Sequence, residues 1–483
     1  MYQEDRQQSI FQQPAYFSGV KLKADNRWIQ LAGFIPWDRI EEKYKKQFHK
    51  KTGRPAKPVR YAIGSYLIKE KFNLSDVETV ELIAENPYLQ FFLGMEQFSE
   101  EAPFDASMMT WFRKRLSPEL LAEVNAYVLG DKDKVGPPTS GQGGEYEESG
   151  GNEGEAENRG TLIVDATCIP AAIRFPMDTS LLNEAREWAE GLIDEIFAAK
   201  RPEGVQKPRT YRRVARKDYL RLARNRKPGK AVIRKAVRKQ LGYLRRDLKH
   251  LEQLGTESLG EKQLAKLATI QEVYEQQQEM YEAGSHTVED RIVSLSQPWV
   301  RPIVRGKANA PVEFGAKIAI SLVDGYGRVE QFSWDAFNEG NTLMETMEHY
   351  KQREGCYPKR VLADKIYRTR ANRQYCDSRG IRLNGPKLGR PPADQQLYRE
   401  QCLQERAEAG ERNAIEGYFG TGKRRYGLDR LCCRLQTSSE AEIYMAILSM
   451  NLWKKLQSFF ASLYRDGYQR LMWLGTRNRV IFQ

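Results

Sequence analysis

Histidine and cysteine are scarce in this chain of 483 residues. It holds four histidines (His49, His250, His286, His349) and six cysteines (Cys168, Cys356, Cys376, Cys402, Cys432, Cys433). No two cysteines form a CxxC pair and none stands at zinc spacing from a histidine, which excludes a zinc ribbon and a disulfide scaffold. The thiols are expected to be reduced, and any metal is expected on carboxylates. There is also no apolar run of about 18 residues, the length that a spanning helix needs. The opening stretch MYQEDRQQSIFQQ is polar, which predicts no secretory signal. The expectation is a soluble protein of the cytoplasm with no membrane partner.

Charge is abundant and unevenly spread. Lys+Arg total 77 against 64 Asp+Glu, a net charge of +13, and 40% of residues are hydrophobic. Length and apolar content suit two or three packed domains. Residues 200–250 hold twenty Lys/Arg against Glu203, Asp218 and Asp247, a local balance of +17. Tyr211, Tyr219, Leu220, Leu222, Tyr243, Leu244 and Leu248 are interleaved with these cations. An apolar stripe with cationic flanks fits helices packed on one face and lying along phosphates on the other; Arg212, Arg213, Arg216 and Lys217 are candidate contacts. Residues 131–160 are the opposite: eight glycines, two prolines and eight acids against three bases. Such a composition cannot bury enough surface to order itself and reads as a flexible acidic linker.

The stretch before the linker reads as helical. Pro36 to Phe48 places Ile40, Tyr44 and Phe48 four apart, and Val59, Ile63, Tyr66 and Leu67 repeat at helical spacing. Ser75 and Glu78 form a capping-box pair, and Pro87 kinks or ends that helix. Asp105 is the expected N-cap of a helix from Ala106 to Leu116, whose polar side carries Ser107, Thr110, Arg113 and Lys114. Short helices ending in a basic, hydroxyl-bearing one suit a helix-turn-helix. A plain helical bundle with a solvated basic face accounts for this segment equally well.

After the linker the pattern changes. Thr161 to Cys168 is an apolar strand interrupted by Asp165. Residues 181–290 read as helical. Ala316–Val323 and Arg328–Trp334 are strands around the turn Asp324-Gly325-Tyr326-Gly327. A helix follows over Leu343–Gln352, then the strand Arg360–Ala363 running into Asp364. Further on come a helix at Arg368–Arg379, a short strand at Ile381–Leu383, and helices at Gln395–Phe419 and Ala441–Phe459. Trp299 and Trp334 are candidate stacking aromatics, although Trp334, in a strand, suits packing better. Arg301, Arg305 and Lys307 could line a DNA path or a solvated loop.

A carboxylate inside or at the end of a buried strand is costly unless paired or bound to a metal. If the strands carrying Asp165 and Asp364 are neighbours, both side chains reach one spot at the sheet edge. A third acid would complete an all-oxygen site for Mg²⁺ or Mn²⁺. Two such ions about 3.5–4 Å apart can activate a water or 3′-hydroxyl and stabilise the leaving oxygen of a phosphodiester. Strand order alone does not choose the third acid among Glu405, Glu408, Glu411 and Glu416.

Four blocks carry a resemblance: IVDAT at 163–167, RPIVRGKANAPVEFGAK at 301–317, LADKIYRTRANR at 362–373 and ERNAIEGYFGTGKRRYGLDR at 411–430. Together they resemble DDE transposases of bacterial insertion sequences, whose catalytic domain is RNase H-like and similar to retroviral integrase. Segment 34–116 is similar to the helical domain that precedes such cores. The resemblance implies Asp165, Asp364 and Glu416 as catalytic and metal-binding triad, with two Mg²⁺ ions (Mn²⁺ substituting). The family's Tyr-x2-Arg-x3-Glu-x6-Lys signature maps onto Arg412, Glu416 and Lys423, implying phosphate contacts for Arg412 and Lys423. The signature's tyrosine position is Ala409 here, and Asn413 stands three before Glu416, where no aromatic is available to stack a flipped base.

The expected architecture is mixed α+β. A helical, helix-turn-helix-like DNA-binding domain spans 1–130, the linker 131–160, and an RNase H-like core 161–483, with a basic helical insertion at about 175–290. The implied function is a transposase that binds terminal inverted repeats, cleaves DNA and transfers strands into target DNA, as a homodimer in the nucleoid. A nuclease without strand transfer and a non-catalytic DNA-binding relative are the alternatives.

Overall fold

The structure, a computed structural model, describes residues 17, 21–46, 48, 55–131, 157–200, 206–304, 312–386, 389 and 394–479. Most of the linker, at 132–156, lies outside the described residues, as do Arg305 and Lys307. The fold is mixed α+β. The chain divides into two compact units: Met1–Thr167 with Ile318–Phe332 and Phe337–Gln483, and Cys168–Lys317 with Ser333–Ala336.

The first unit begins with helices α1 (Arg27–Phe34), α2 (Trp37–Lys45), α3 (Val59–Phe72), α4 (Asp76–Glu85), α5 (Pro87–Phe92), α6 (Met108–Arg115) and α7 (Pro118–Leu129). The capping box forms as expected: Glu78 N–H donates to the Ser75 hydroxyl, and Ser75 N–H to the Glu78 carboxylate. Pro87 opens α5, whose first turn needs no proline N–H. The expected start of α6 shifts. Asp105 accepts from Ser107 N–H at 2.8 Å in a turn, and regular helix begins only at Met108.

Among the described residues the sheet has six strands, β1 (Thr161–Pro170), β2 (Arg301–Val304), β3 (Val312–Val323), β4 (Tyr326–Ser333), β5 (Arg360–Ala363) and β6 (Arg382–Leu383). Its order is β2-β3-β1-β5-β6, with β4 also paired to β3, and β1 runs parallel to β5, as β5 does to β6. The β3–β4 turn is shorter than expected. Asp324 and Gly325 alone make it, both at positive φ (52° and 76°), the two-residue hairpin geometry, while Tyr326 and Gly327 already belong to β4. Leu162, Val164, Val361 and Ala363 pack against α12 (Leu343–Glu354) and α13 (Arg370–Ser378), through Leu343, Met347, Tyr350 and Cys376.

Two long helices complete the unit, α14 (Gln395–Arg425) and α15 (Gln436–Arg479), both longer than their apolar patterns indicate. α15 packs on α1, α3, α6 and α7. Trp28 meets Trp453 edge-on at 5.4 Å. Asn451 of α15 donates to the Gly327 carbonyl at 2.7 Å and to Asn125 of α7 at 2.8 Å, and accepts from Gly327 N–H at 2.9 Å. All these amide groups are buried, so their polar atoms are satisfied only in this arrangement.

The second unit holds the insertion: α8 (Asp178–Lys200), α9 (Arg212–Ala223), α10 (Lys230–Leu254) and α11 (Glu261–Ala283). Leu182, Ile193 and Ile196 of α8, Leu241 and Leu244 of α10, and Ile270 and Val273 of α11 form its own apolar core. β2 pairs antiparallel with the start of β3. This strand was not expected from the sequence, where four residues starting Arg-Pro carry little strand pattern. Trp299 and Trp334 pack on each other at 6.4 Å. Among the described residues, no helix is long and apolar enough to cross a membrane.

Candidate active site and nucleic-acid interface

The register of β1 and β5 decides the position of both aspartates. Val164 is paired with Ala363 in parallel, so the next residues, Asp165 and Asp364, leave neighbouring strands at the same level. Residues level with each other in a parallel pair point to one face. Val164 and Ala363 enter the packed core under α12 and α13, and the alternation of a strand turns the next positions away from it.

Asp364 is exposed and caps the 3-10 turn Lys365–Tyr367, accepting from Lys365 N–H at 2.6 Å. Asp165 is held more tightly: its side chain is 18% exposed and accepts from Ala166 N–H at 2.8 Å. Its pKa is pushed up to about 6. Burial is the main cause; the Ala166 N–H and Arg412 oppose it, and the charges of Glu339 and Asp364 add to it.

Glu339 was not among the expected site residues. It begins the 3-10 turn Glu339–Thr342, which is capped by Asn338, whose side chain accepts from Gly340 N–H at 3.0 Å. Asn372 fixes that turn against the one capped by Asp364, donating to the Gly340 carbonyl at 2.7 Å and to the Tyr367 carbonyl at 2.8 Å. The approach is so close that a Cβ on Gly340 would stand 2.8 Å from the Ile366 carbonyl oxygen. The buried Tyr367 phenol titrates above the ordinary tyrosine range, first through burial and then through Glu339, Asp165 and Asp364. No periodicity in the sequence marks Glu339; its place depends on the Asn372 clamp.

α14 brings the cations. Arg412 lies 3.7 Å from Asp165 and donates to Glu416 at 2.9 Å, one helical turn away. The other acids of α14 have different partners. Glu408 is buried beside Arg382 at 2.8 Å, and Glu411 pairs with Arg360 at 2.9 Å. Glu405 lines an open cleft of about 800 Å³ with Arg373 and Arg382. Glu416 therefore shares a guanidinium with Asp165, while its own side chain is 56% exposed. Lys423 lies on the same helix. Among the described residues, no three acids, histidines or cysteines lie close enough together to hold a metal ion. The donor set nevertheless suits a hard divalent cation: oxygen ligands only, and negative charge concentrated around a desolvated Asp165. The Arg412 guanidinium supplies part of the compensating charge.

The expected DNA contacts divide into two classes. Ser107, the N-cap of α6, and Thr110 and Lys114 on it are exposed. Arg113 turns inward, donating to both Asp76 oxygens at 2.6 and 3.0 Å and so holding α6 to α4. In the insertion, Arg213, Arg216 and Lys217 are exposed, whereas Arg212 is bidentate to Asp194 at 2.8 and 2.9 Å. Arg301 donates to the Pro298 carbonyl and lies 3.6 Å from Asp335.

Comparison with known proteins joins these observations. Residues 361–453, from β5 into α15, match the family described as "Transposase DDE domain". Residues 19–115, from before α1 to the end of α6, match "Transposase domain (DUF772)". A Rhizobium meliloti protein, described as "Uncharacterized protein ORF8 in nfe locus", is 34% identical over 196 residues, which covers 41% of this chain and 83% of the relative. No solved structure matches the chain. With a transposase match over its first helices and a DDE match over the strand and helices that carry Asp364 and Glu416, the chain belongs to the DDE transposase family.

Proposed function

We propose that this transposase binds the terminal inverted repeats of its element, cleaves DNA at the element ends and joins the freed ends to target DNA. The observation that carries the proposal is the parallel pairing of Val164 with Ala363, from which Asp165 and Asp364 emerge side by side. Asp165, Asp364 and Glu416 would hold two Mg²⁺ ions, with Mn²⁺ able to substitute. When bound, such ions supply Lewis acidity to the phosphodiester and lower the pKa of an attacking water or 3′-hydroxyl.

The residues of the chain do the rest. Asp165 must lose its proton to act as a ligand, which Arg412 favours. Arg412, a planar fork between Asp165 and Glu416, is suited to turn onto a phosphate bidentately. Lys423 provides a second, point-like positive charge on the same helix. Residues 1–130 serve as the end-binding part, in which a helix-turn-helix-like α4–α6 region presents Ser107, Thr110 and Lys114. Residues 161–483 serve as the catalytic part. Arg213, Arg216 and Lys217 of the insertion follow the backbone, which requires charge and no base recognition. The active form is a homodimer on paired ends, working on chromosomal DNA in the cytoplasm.

The test is Asp364→Asn. End cleavage in Mg²⁺ should disappear while end binding persists, since Asp364 is an exposed cap and not part of the core. Retained cleavage would remove Asp364 from the site. Pre-cut ends then separate transposition from plain nuclease action, because only a transposase joins them to a target.

A further inference from the structure

α6 carries an exposed tryptophan on its outer face. Met109 and Phe112 are fully buried beneath the helix, and Leu116 closes its end. On the opposite side Ser107, Thr110, Trp111 and Lys114 are all exposed, at the i, i+3, i+4, i+7 spacing of one helical face. Trp111 is 53% exposed. The Lys114 ammonium stands 4.7 Å from its ring centroid and the Arg115 guanidinium 5.9 Å. The face thus consists of two hydroxyls, one indole and the Lys114 cation; Arg115, half-buried, lies nearer the Phe48 ring, at 4.7 Å.

This combination selects a partner. An apolar protein surface would strip water from the Lys114 ammonium without replacing it, which is costly. Duplex DNA satisfies every group: phosphates take the ammonium, and base edges take the hydroxyls. A helix about 10–12 Å across fits a major groove about 12 Å wide. The apolar feature of that groove is the thymine C5-methyl group, the natural neighbour for an indole.

We propose that Trp111 is a base-contacting residue, packing its indole on thymine methyl groups in the major groove while Ser107, Thr110 and Lys114 engage the surrounding edges and phosphates. This rests on the reading above that the N-terminal helices bind the element ends, and it adds a specificity-determining residue to that interface.

The experiment titrates the full chain against three duplexes: one carrying the DNA that brackets its own reading frame, the same duplex with deoxyuridine for thymidine, and a random sequence. Wild type, W111A and W111F are compared, with thermal melting as a control on folding. W111A should bind the end duplex about tenfold more weakly, bind random DNA as wild type does, and keep the wild-type salt slope. Removing the thymine methyls should weaken wild type and W111F and leave W111A unchanged. Equal binding of the end duplex by W111A and wild type overturns the proposal, as does an equal loss on deoxyuridine in both. If wild type does not distinguish end from random DNA, the end-binding reading itself fails and the role of Trp111 falls with it.

Discussion

Arg412 stands 3.7 Å from the Asp165 carboxylate while donating to Glu416, so one guanidinium bridges acids carried by a strand and a helix. It offsets only part of the cost of burying that carboxylate, whose pKa is still pushed up to about 6, first by burial and then by Glu339 and Asp364.

That uncompensated burial predicts a metal response. The pKa of Asp165 is raised on folding, so its charged form costs stability, and the cost grows as pH rises from about 4 to above 6. At pH 8 Asp165→Asn should stabilise the metal-free protein by roughly 2–3 kcal/mol. Mg²⁺ should raise the melting temperature of wild type and not of the variant. A variant that melts earlier, or one that still responds fully to Mg²⁺, would refute this.

A second carboxylate has the opposite sign. Glu330 of β4 is buried, accepts from Ser321 and Arg353 at 2.5 and 2.8 Å, and lies 2.9 Å from a His349 ring nitrogen. Burial alone would raise its pKa; Arg353 and His349 outweigh burial and bring it down to about 2. Its stabilisation is full above the ordinary carboxylate pKa and is lost as pH falls from about 4.5 towards 2. Glu330→Ala should cost about 3–5 kcal/mol, because it leaves a buried Arg353 without its partner. Urea unfolding at pH 7 gives the value.

Within the insertion, Asp247 is fully buried, and neither oxygen makes a hydrogen bond among the described residues. Burial, then Glu190, push its pKa up to about 7, against Arg186, Arg246 and Arg212. Folding therefore favours its protonated form, and its contribution to stability declines between about pH 4 and 7. Asp247→Asn should raise the melting temperature at pH 8 and change it little at pH 5. A variant less stable at pH 8 would show that the charged form is needed.

The exposed cations of α9 are separable from the paired one. Replacing Arg213, Arg216 and Lys217 together by alanine should weaken binding to every duplex. The salt slope should flatten by about 0.9 for each phosphate that is no longer neutralised. Arg212→Ala should instead lower stability, since Asp194 loses both its hydrogen bonds from that side chain. Unchanged slopes in the triple variant would leave α9 as a solvated helix.

Much of this protein was legible in the chain itself. The β5 strand running into Asp364, the Ser75–Glu78 cap and the Asp-Gly hairpin are local patterns, and local physics executes them. The +17 balance of 200–250 located the basic helices, because charge density needs no fold to be read. The alternatives for the third acid were not separable that way. All four glutamates lie on α14, and only packing assigns Glu408 to Arg382, Glu411 to Arg360 and Glu416 to the guanidinium beside Asp165.

Tertiary structure decided what depends on partners distant in sequence. Arg113 and Lys114 look alike as neighbouring cations, yet Asp76 draws one inward and leaves the other on the outer face of α6. Glu339 reaches the neighbourhood of Asp165 because Asn372 binds two 3-10 turns together. Residue type and spacing set which groups are available and which helix or strand carries them. Which of them meet is set by strand register and helix packing, whose energy comes from interactions between segments far apart in the chain.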